Sequence, residues 1–513
     1  MSGERAVSRR RFLRDAGATA AASSAVTLLP SGCSTAPALS STPASPPPHR
    51  ALAVPGVHAY PLEHSIAAGG TLELCVSTSV PYRLSICRLG RDVDDPAGDE
   101  VLTDLGSFPA NPQPVHPGSY VTCARGIEGP RRALTLECWV RPWDLKVLQG
   151  VITQEDKDAD DGFALGVGPD GYVGFFLGDG VSPDEKVIHR TAAGVLKRNE
   201  WHHVVAIWDG ATKRVHVNGR EAGAWPFAGP LVPGRHPLRL GAMGQAGAAT
   251  RFLDGDIAQP AVYDRALSTA EIADRFADGG LTSARGAGML GAWPLTEEQG
   301  ERVADVSGAG RHGVIVNQAT WMIGGPSFAA EVPRFGPYDP AKDARRGHGL
   351  RLASDDLYDC RWNVTHRWTS PAAARSGFFV ARFDFEWEGK PRQYHCTFIV
   401  RRAAGKKRAP LLLIAATNTW RAYSGTPFAL TPECRNSAVS PLGSLMDCEV
   451  RSTRDMGQRC RSWKPGDFGG TNPHRTKVAN SCSRYSSMRL TIGPVWVMPL
   501  PQMMTVGRPS MLA

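Results

Sequence analysis

The side chains best placed to do chemistry follow one apolar run. In APLLLIAATNTWRAYSGTPF, Leu411 to Ala416 is apolar without alternation, which is how a strand buried on both faces of a parallel sheet reads. Ligands of such sheets bind beyond the carboxyl ends of the strands. Asn418, Thr419, Trp420 and Tyr423 stand at that end. Other groups read more plainly. His202 and His203 are adjacent on an alternating strand and point to opposite faces, so they cannot share one metal and read as packing. Asp254 and Asp256 offer the hard oxygens that calcium takes, against the plainer reading of an outward pair on one strand. Asp355, Asp356 and Tyr358 in SDDLYDCRW read as a turn with a structural tyrosine. A glycosidase needs two carboxylates facing across a groove, whereas Glu155, Asp156 and Asp158 in QEDKDADDG read as a solvated loop.

The elements that must position these groups are mainly β. From 51 to 126, short runs such as TLELCVSTS and YRLSICRLG are punctuated by Gly and Pro at the spacing of a small antiparallel sandwich. From 127 to 330 the hairpins are more explicit. FALGVGPDGYVGFFLG turns at Pro-Asp-Gly, and WHHVVAIWDGATKRVHVNGR turns at Asp209-Gly210 and Asn218-Gly219, pairs that tolerate the positive φ of tight turns. Successive hairpins of this kind close two curved sheets into a jelly roll. The turn at Asp305 and the step Arg311-His312-Gly313 read as closing the same domain. Trp225 and Phe227 in GAWPFAGP could stack on sugar rings, although hairpin packing accounts for them.

The chain opens with SRRRFLRDAG and a weakly apolar stretch, which resembles a twin-arginine export signal over residues 1–33. That pathway carries folded proteins, so the expected destination is periplasmic or extracellular. The stretch is too short to span a membrane stably. LPSGC is an imperfect lipoprotein box, leaving two readings for Cys33, a lipid anchor or ordinary cleavage nearby. Residues 34–50, rich in Pro, Ser and Ala, read as an extended tether. The net charge of +9 lies at the two ends, in residues 1–33 and 431–513, and the body between them is neutral. Nucleic acid is therefore not an expected partner. Eleven cysteines suit an oxidising compartment without making a disulfide scaffold. Cys75 and Cys87 flank a turn, so either a cross-strand bridge or two half-buried thiols fits.

LTLECWVRP, EWHHVVAIWDG, RVHVNGR and FLDGDIAQPAVYDRALSTAEI resemble the laminin-G/concanavalin-like sandwich, with a short helix at ALSTAEIADRF. That fold hosts lectins, hydrolases and spacers, so it names no ligand. HGLRLASDDLYDCRWN, SGFFVAR and the stretch around NTWRAYS resemble the large subunit of N,N-dimethylformamidase and its relatives. The resemblance implies an N-terminal β-domain, the sandwich, then an α/β module like glutamine amidotransferases, here residues 331–430. It also implies hydrolysis of a small amide at an iron held by two tyrosines and a glutamate, with a small subunit and a homo-oligomer as possible partners. Hard phenolate and carboxylate donors suit ferric iron. Tyr423 matches the first tyrosine ligand, against the plainer reading of a rim aromatic. Asn418 and Trp420 would shape the pocket.

Beyond about Thr431 neither the second tyrosine motif nor the glutamate segment is legible. Residues 431–513 hold seven of the eleven methionines and four of the eleven cysteines, with neither helical nor strand period. Cys434, Cys448, Cys460 and Cys482 are too widely spaced for a zinc ribbon. The expectation is an incomplete α/β module and an orphan, disordered tail, from truncation or a frameshift. The leading reading is an exported relative of the amidase that has lost iron and activity. The rival is a non-catalytic exported protein whose sandwich binds glycans or another protein.

Overall fold

The computed structural model describes residues 49–406 and 415, except 91–95, 157–159, 181–187, 330–342 and 358. Among the described residues no helix is long and apolar enough to cross a membrane.

The central domain is a jelly roll of two eight-stranded sheets. One runs in the order Ile188–Arg190, Val173–Leu177, Asp161–Val167, Gln149–Asp156, Leu238–Leu240, Tyr120–Cys123, Gly313–Val316 and Arg302–Val303. The other runs Arg220–Pro226, Thr212–Val217, His202–Trp208, Leu134–Pro142, Gly255–Tyr263, Gly349–Leu352 and Thr320–Met322, with Met289–Ala292 paired to Gly255–Tyr263. Local chemistry sets the hairpins. Asn218 and Gly219 sit at φ of 51° and 75°, the doubly positive turn that matches the twist of the strands either side. At the preceding turn the Asp209 carboxylate accepts from the amides of Ala211 and Thr212. Leu136, Val140, Val204, Val215, Phe175, Leu240 and Trp293 meet between the sheets in one buried core.

The helix Thr269–Ala277 lies on the outside of this roll. Ser268 caps it, accepting from the Glu271 amide while the Glu271 carboxylate accepts from the Ser268 amide. Ile272 seals it against Val205, Ile207, Ala261 and Tyr263.

The second sandwich is built from both ends of the described chain. Val57–Pro61, Thr71–Thr78 and Val364–Thr369 make a three-stranded sheet. Ser65–Ala67, Lys390–Arg401, Gly377–Trp387, Tyr82–Arg88 and Glu100–Phe108 make a five-stranded one, in which Ser65–Ala67 runs parallel to Lys390–Arg401. Leu72, Leu74, Val76, Tyr82, Leu84, Ile86, Phe379, Phe383 and Phe398 fill the space between. The N-terminal sheets are therefore finished by residues 364–401, and the jelly roll is inserted between the two halves. The sheets divide elsewhere than at 126 and 330, because Tyr120–Cys123 and Gly349–Leu352 both pair inside the jelly roll. The described part of 331–430 is β apart from one short turn of 3-10 helix at Ala344–Arg346. The α/β portion is not shown, and the apolar run 411–416 lies outside the described residues except Ala415.

A bridge between Cys75 and Cys87 is excluded by strand parity. Their strands lie in different sheets, with Leu74 and Val76 on one and Ile86 on the other turned into the shared core. Both cysteines consequently turn away from that core, on opposite outer faces, and both are buried thiols.

Candidate functional site

Three motifs meet at one buried junction. Asp256 pairs in register with Arg141 on one neighbouring strand and Arg351 on the other. Its carboxylate accepts from Arg141 Nη2 at 2.7 Å, Arg351 Nε at 2.9 Å and Trp143 Nε1 at 3.1 Å, so its charge is fully paired although no part of it reaches solvent. Asp254, just before the same strand, accepts from the Ser354 amide at 2.7 Å and the Ser354 hydroxyl at 2.9 Å. Burial raises its pKa to about 6, against the two Ser354 bonds, with the Asp144 and Asp356 carboxylates adding to the rise. The Asp144 pKa is also raised by burial, and its Oδ2 has no hydrogen-bond partner. Asp356 accepts from the Ser119 hydroxyl at 2.5 Å. FLDGDI, SDDLYD and RPWD are thus sewn together where the chain passes from one sandwich to the other.

A second polar knot lies under the helix. Glu137 accepts from His203 Nε2 at 3.0 Å, Arg275 Nε at 2.8 Å and the Tyr263 hydroxyl at 3.2 Å. Burial alone would raise its pKa, but the His203 bond and the Arg275 charge outweigh it and hold the carboxyl below its ordinary range. His203 is sandwiched beside Trp139 and Phe276. His202 points the other way and accepts from the Lys197 amide. The two histidines therefore pack on opposite faces, as their spacing predicts.

Within the jelly roll core, Lys213 is wholly buried, its ammonium 4.1 Å from the Phe227 ring centre and 5.5 Å from that of Phe175. Burial lowers its pKa to about 7. Nothing in the hairpin pattern announced this lysine beyond its inward parity. Arg141 and Arg351 had a signal, an arginine embedded in an otherwise apolar strand, in ECWVRPW and GHGLRLAS.

Several expectations are corrected. Asp254 and Asp256 are not an outward pair, since each is buried with its own donors. Glu155 is not in a solvated loop; it is buried in the strand Gln149–Asp156 and accepts from the Gly244 amide. Phe227 is a core residue and Trp225 stacks on His189, so hairpin packing uses both aromatics. Asp355 lies in a buried turn, as SDDLYD implies. Tyr358, Asn418, Trp420, Tyr423, Cys33 and the four cysteines of the tail lie outside the described residues.

What the described residues can do chemically is limited by access. The carboxylates of Asp254, Asp256, Asp356 and Glu137 are buried and hydrogen-bonded, so they fasten strands out of reach of solvent. The cleft between Leu134, Phe163, Leu231 and Arg131 has room for about 10 Å³, little more than one water, far below a small-molecule site. Among the described residues, no three His, Cys, Asp or Glu side chains are grouped to hold a metal ion.

The architecture defines a β-protein with a concanavalin-like jelly roll set into a second sandwich. Residues 117–273 match the family model of the concanavalin A-like lectin/glucanases superfamily. Residues 339–496 match that of the N,N-dimethylformamidase beta subunit-like C-terminal region, reaching well past residue 430, where the resemblance ceases to be legible by eye. The N,N-dimethylformamidase beta subunit of Paracoccus aminophilus is 24% identical over 491 residues, covering 85% of this chain. The chain spans 61% of that relative's length. The chain is thus similar to the N,N-dimethylformamidase beta subunit, and its central region matches the concanavalin-like family model. Among solved structures, a heptameric SAP-like pentraxin from Limulus polyphemus covers 46% of this chain and 94% of its own at 14% identity and a TM-score of 0.28. A CBM40 of an IT-sialidase from Ruminococcus gnavus covers 28% of this chain and 83% of its own at 16% identity and a TM-score of 0.25.

Proposed function

We propose that this chain is an exported hydrolase of small amides that acts beside a second subunit and holds iron through Tyr423. The observation that carries this reading is the match of residues 339–496 to the amidase C-terminal region, which encloses Asn418, Trp420 and Tyr423 and runs far beyond them. That reach favours a retained reaction over the lost activity that the tail's composition implied. The subunit name of the Paracoccus aminophilus relative supports a partner. The paired arginines of SRRRFLR support export after folding, the route suited to a protein loaded with metal in the cytoplasm.

Iron held by phenolate and carboxylate oxygens supplies Lewis acidity toward an amide carbonyl. The Tyr423 phenolate would be one of its donors. Asn418 would hydrogen-bond the amide, and Trp420 would wall the pocket against bulk water. The remaining ligands are those that the resemblance implies, a second tyrosine and a glutamate.

The test is metal analysis by mass spectrometry and release of dimethylamine from N,N-dimethylformamide, on the full-length chain and on Tyr423→Phe. The expected result is iron and turnover in the parent, both lost in the variant. A folded parent with neither iron nor turnover overturns the proposal.

A further inference from the structure

The outer face of the three-stranded sheet carries Cys75, and the segment that covers this face carries Cys360. Cys75 sits in register between Tyr60 on one side and Val364 on the other. Residues in register share a face, and Leu72, Leu74 and Val76 face the inter-sheet core, so Cys75 and Tyr60 face outward. That outer face is covered by Leu52, Val54, Val115, Leu357, Cys360 and Trp362, which form one buried cluster with Tyr60 and Cys75. Trp362 fixes the cover: its ring stacks on Tyr60 at 5.6 Å, and its amide donates to the Tyr60 hydroxyl at 3.2 Å. Cys360 precedes it by two residues, and both thiols bear electrostatically on the same Tyr60 hydroxyl.

The other described cysteines are placed elsewhere. Cys396 belongs to the inter-sheet core, on the side from which Cys75 turns away; it bears on Cys75 electrostatically, but across the sheet and outside the cluster that holds Cys75 and Cys360 together. Cys87 lies on the far sheet and contacts Ser85. Cys123 and Cys138 lie in the jelly roll core.

We propose that Cys75 and Cys360 form a disulfide in an oxidising compartment, fastening the first half of the divided sandwich to the segment by which the chain returns to it. The two thiols together lose two protons and two electrons to a disulfide of low molecular weight, such as glutathione disulfide. One protein Sγ–Sγ bond forms, the glutathione S–S bond breaks, and two reduced glutathione molecules leave with the protons. The bridge closes a loop that contains the whole jelly roll, so it constrains the unfolded chain strongly.

The experiment refolds the full-length chain from denaturant in glutathione disulfide, with recovery of its far-ultraviolet circular dichroism as the criterion of folding. Alkylation and peptide mapping under non-reducing conditions then follow. The expected result is one linked peptide pair containing Cys75 and Cys360. The thermal midpoint should be higher in the oxidised than in the reduced parent, a difference lost in both Cys360→Ser and Cys360→Ala. Recovery of Cys75 and Cys360 as separately alkylated peptides in the refolded parent, or of either linked to another cysteine, overturns the proposal. The mapping is read on the parent alone, so a variant that fails to fold does not obscure it.

Discussion

Arg275, on the only α-helix among the described residues, donates from Nε to the Glu137 carboxylate 2.8 Å away in a central strand of the jelly roll. This contact ties the helix to the sheet beside the packing of Ile272. Removing one partner leaves a buried charge, so Arg275→Ala should lower the unfolding free energy by about 3–5 kcal/mol, measured by urea titration. The Glu137 carboxyl lies below its ordinary range because His203 and Arg275 outweigh its burial. Its contribution is therefore present above the ordinary carboxylate pKa and is lost as pH falls through the depressed value. The parent should lose more stability than Arg275→Ala on acidification below about pH 4.

Asp254 has the opposite sign. Burial, with help from Asp144 and Asp356, raises its pKa to about 6. The folded state then holds a proton that the unfolded chain has already released, so stability should fall as pH rises from about 4 to 6 and stay level above. Asp254→Asn keeps an acceptor for Ser354 and should flatten that slope, which amounts to at most about 3 kcal/mol across the interval. Chemical denaturation at a series of pH values reads it directly.

Lys213 costs stability while charged. Its pKa falls to about 7 through burial, so the unfolded chain binds the extra proton above that value and stability should rise from about pH 7 toward 10. Lys213→Met fills the same space between Phe175 and Phe227 without a charge. It should raise the unfolding free energy at pH 7 by roughly 1–4 kcal/mol, by analogy with the replacement of buried charges by apolar groups. The alkaline rise should disappear in the same titration.

The cap of the helix is a milder test. Ser268→Ala removes the acceptor of the Glu271 amide while leaving the apolar contacts of Ile272 intact. A loss of about 1 kcal/mol is expected, with no change in the slope against denaturant.

The jelly roll was legible because its turns are chemical. Asn218-Gly219 and Asp209-Gly210 announce hairpins within a few residues, whereas the helix at Thr269–Ala277 was implied by the resemblance alone. The second sandwich was legible only as strands. Nothing in GFFVARFDFEW says that its neighbour is YRLSICR, almost three hundred positions earlier, since alternation fixes which face is buried and leaves the pairing partner open. Asp254, Asp256 and Glu155 misled for the same reason. Charged side chains read as solvated until their partners, Arg141, Arg351, Ser354 and Gly244, arrive from other strands. The resemblance around NTWRAYS located Asn418, Trp420 and Tyr423 as a site, but those positions lie outside the described residues.

The divided sandwich imposes an order on biosynthesis. A ribosome delivers Thr71–Thr78 and Tyr82–Arg88 long before Gly377–Trp387, which pairs beside Tyr82–Arg88, and Lys390–Arg401, which extends that sheet across the core from Thr71–Thr78. Until then the early strands are fragments of two sheets with unpaired edges and bare apolar faces, the state most prone to aggregate or to recruit a chaperone. The jelly roll is complete by Leu352 and can close while the early half waits. A chain interrupted between Leu352 and Gly377 would therefore carry one finished domain and one exposed remnant, and its fate in the cell would be decided by the remnant.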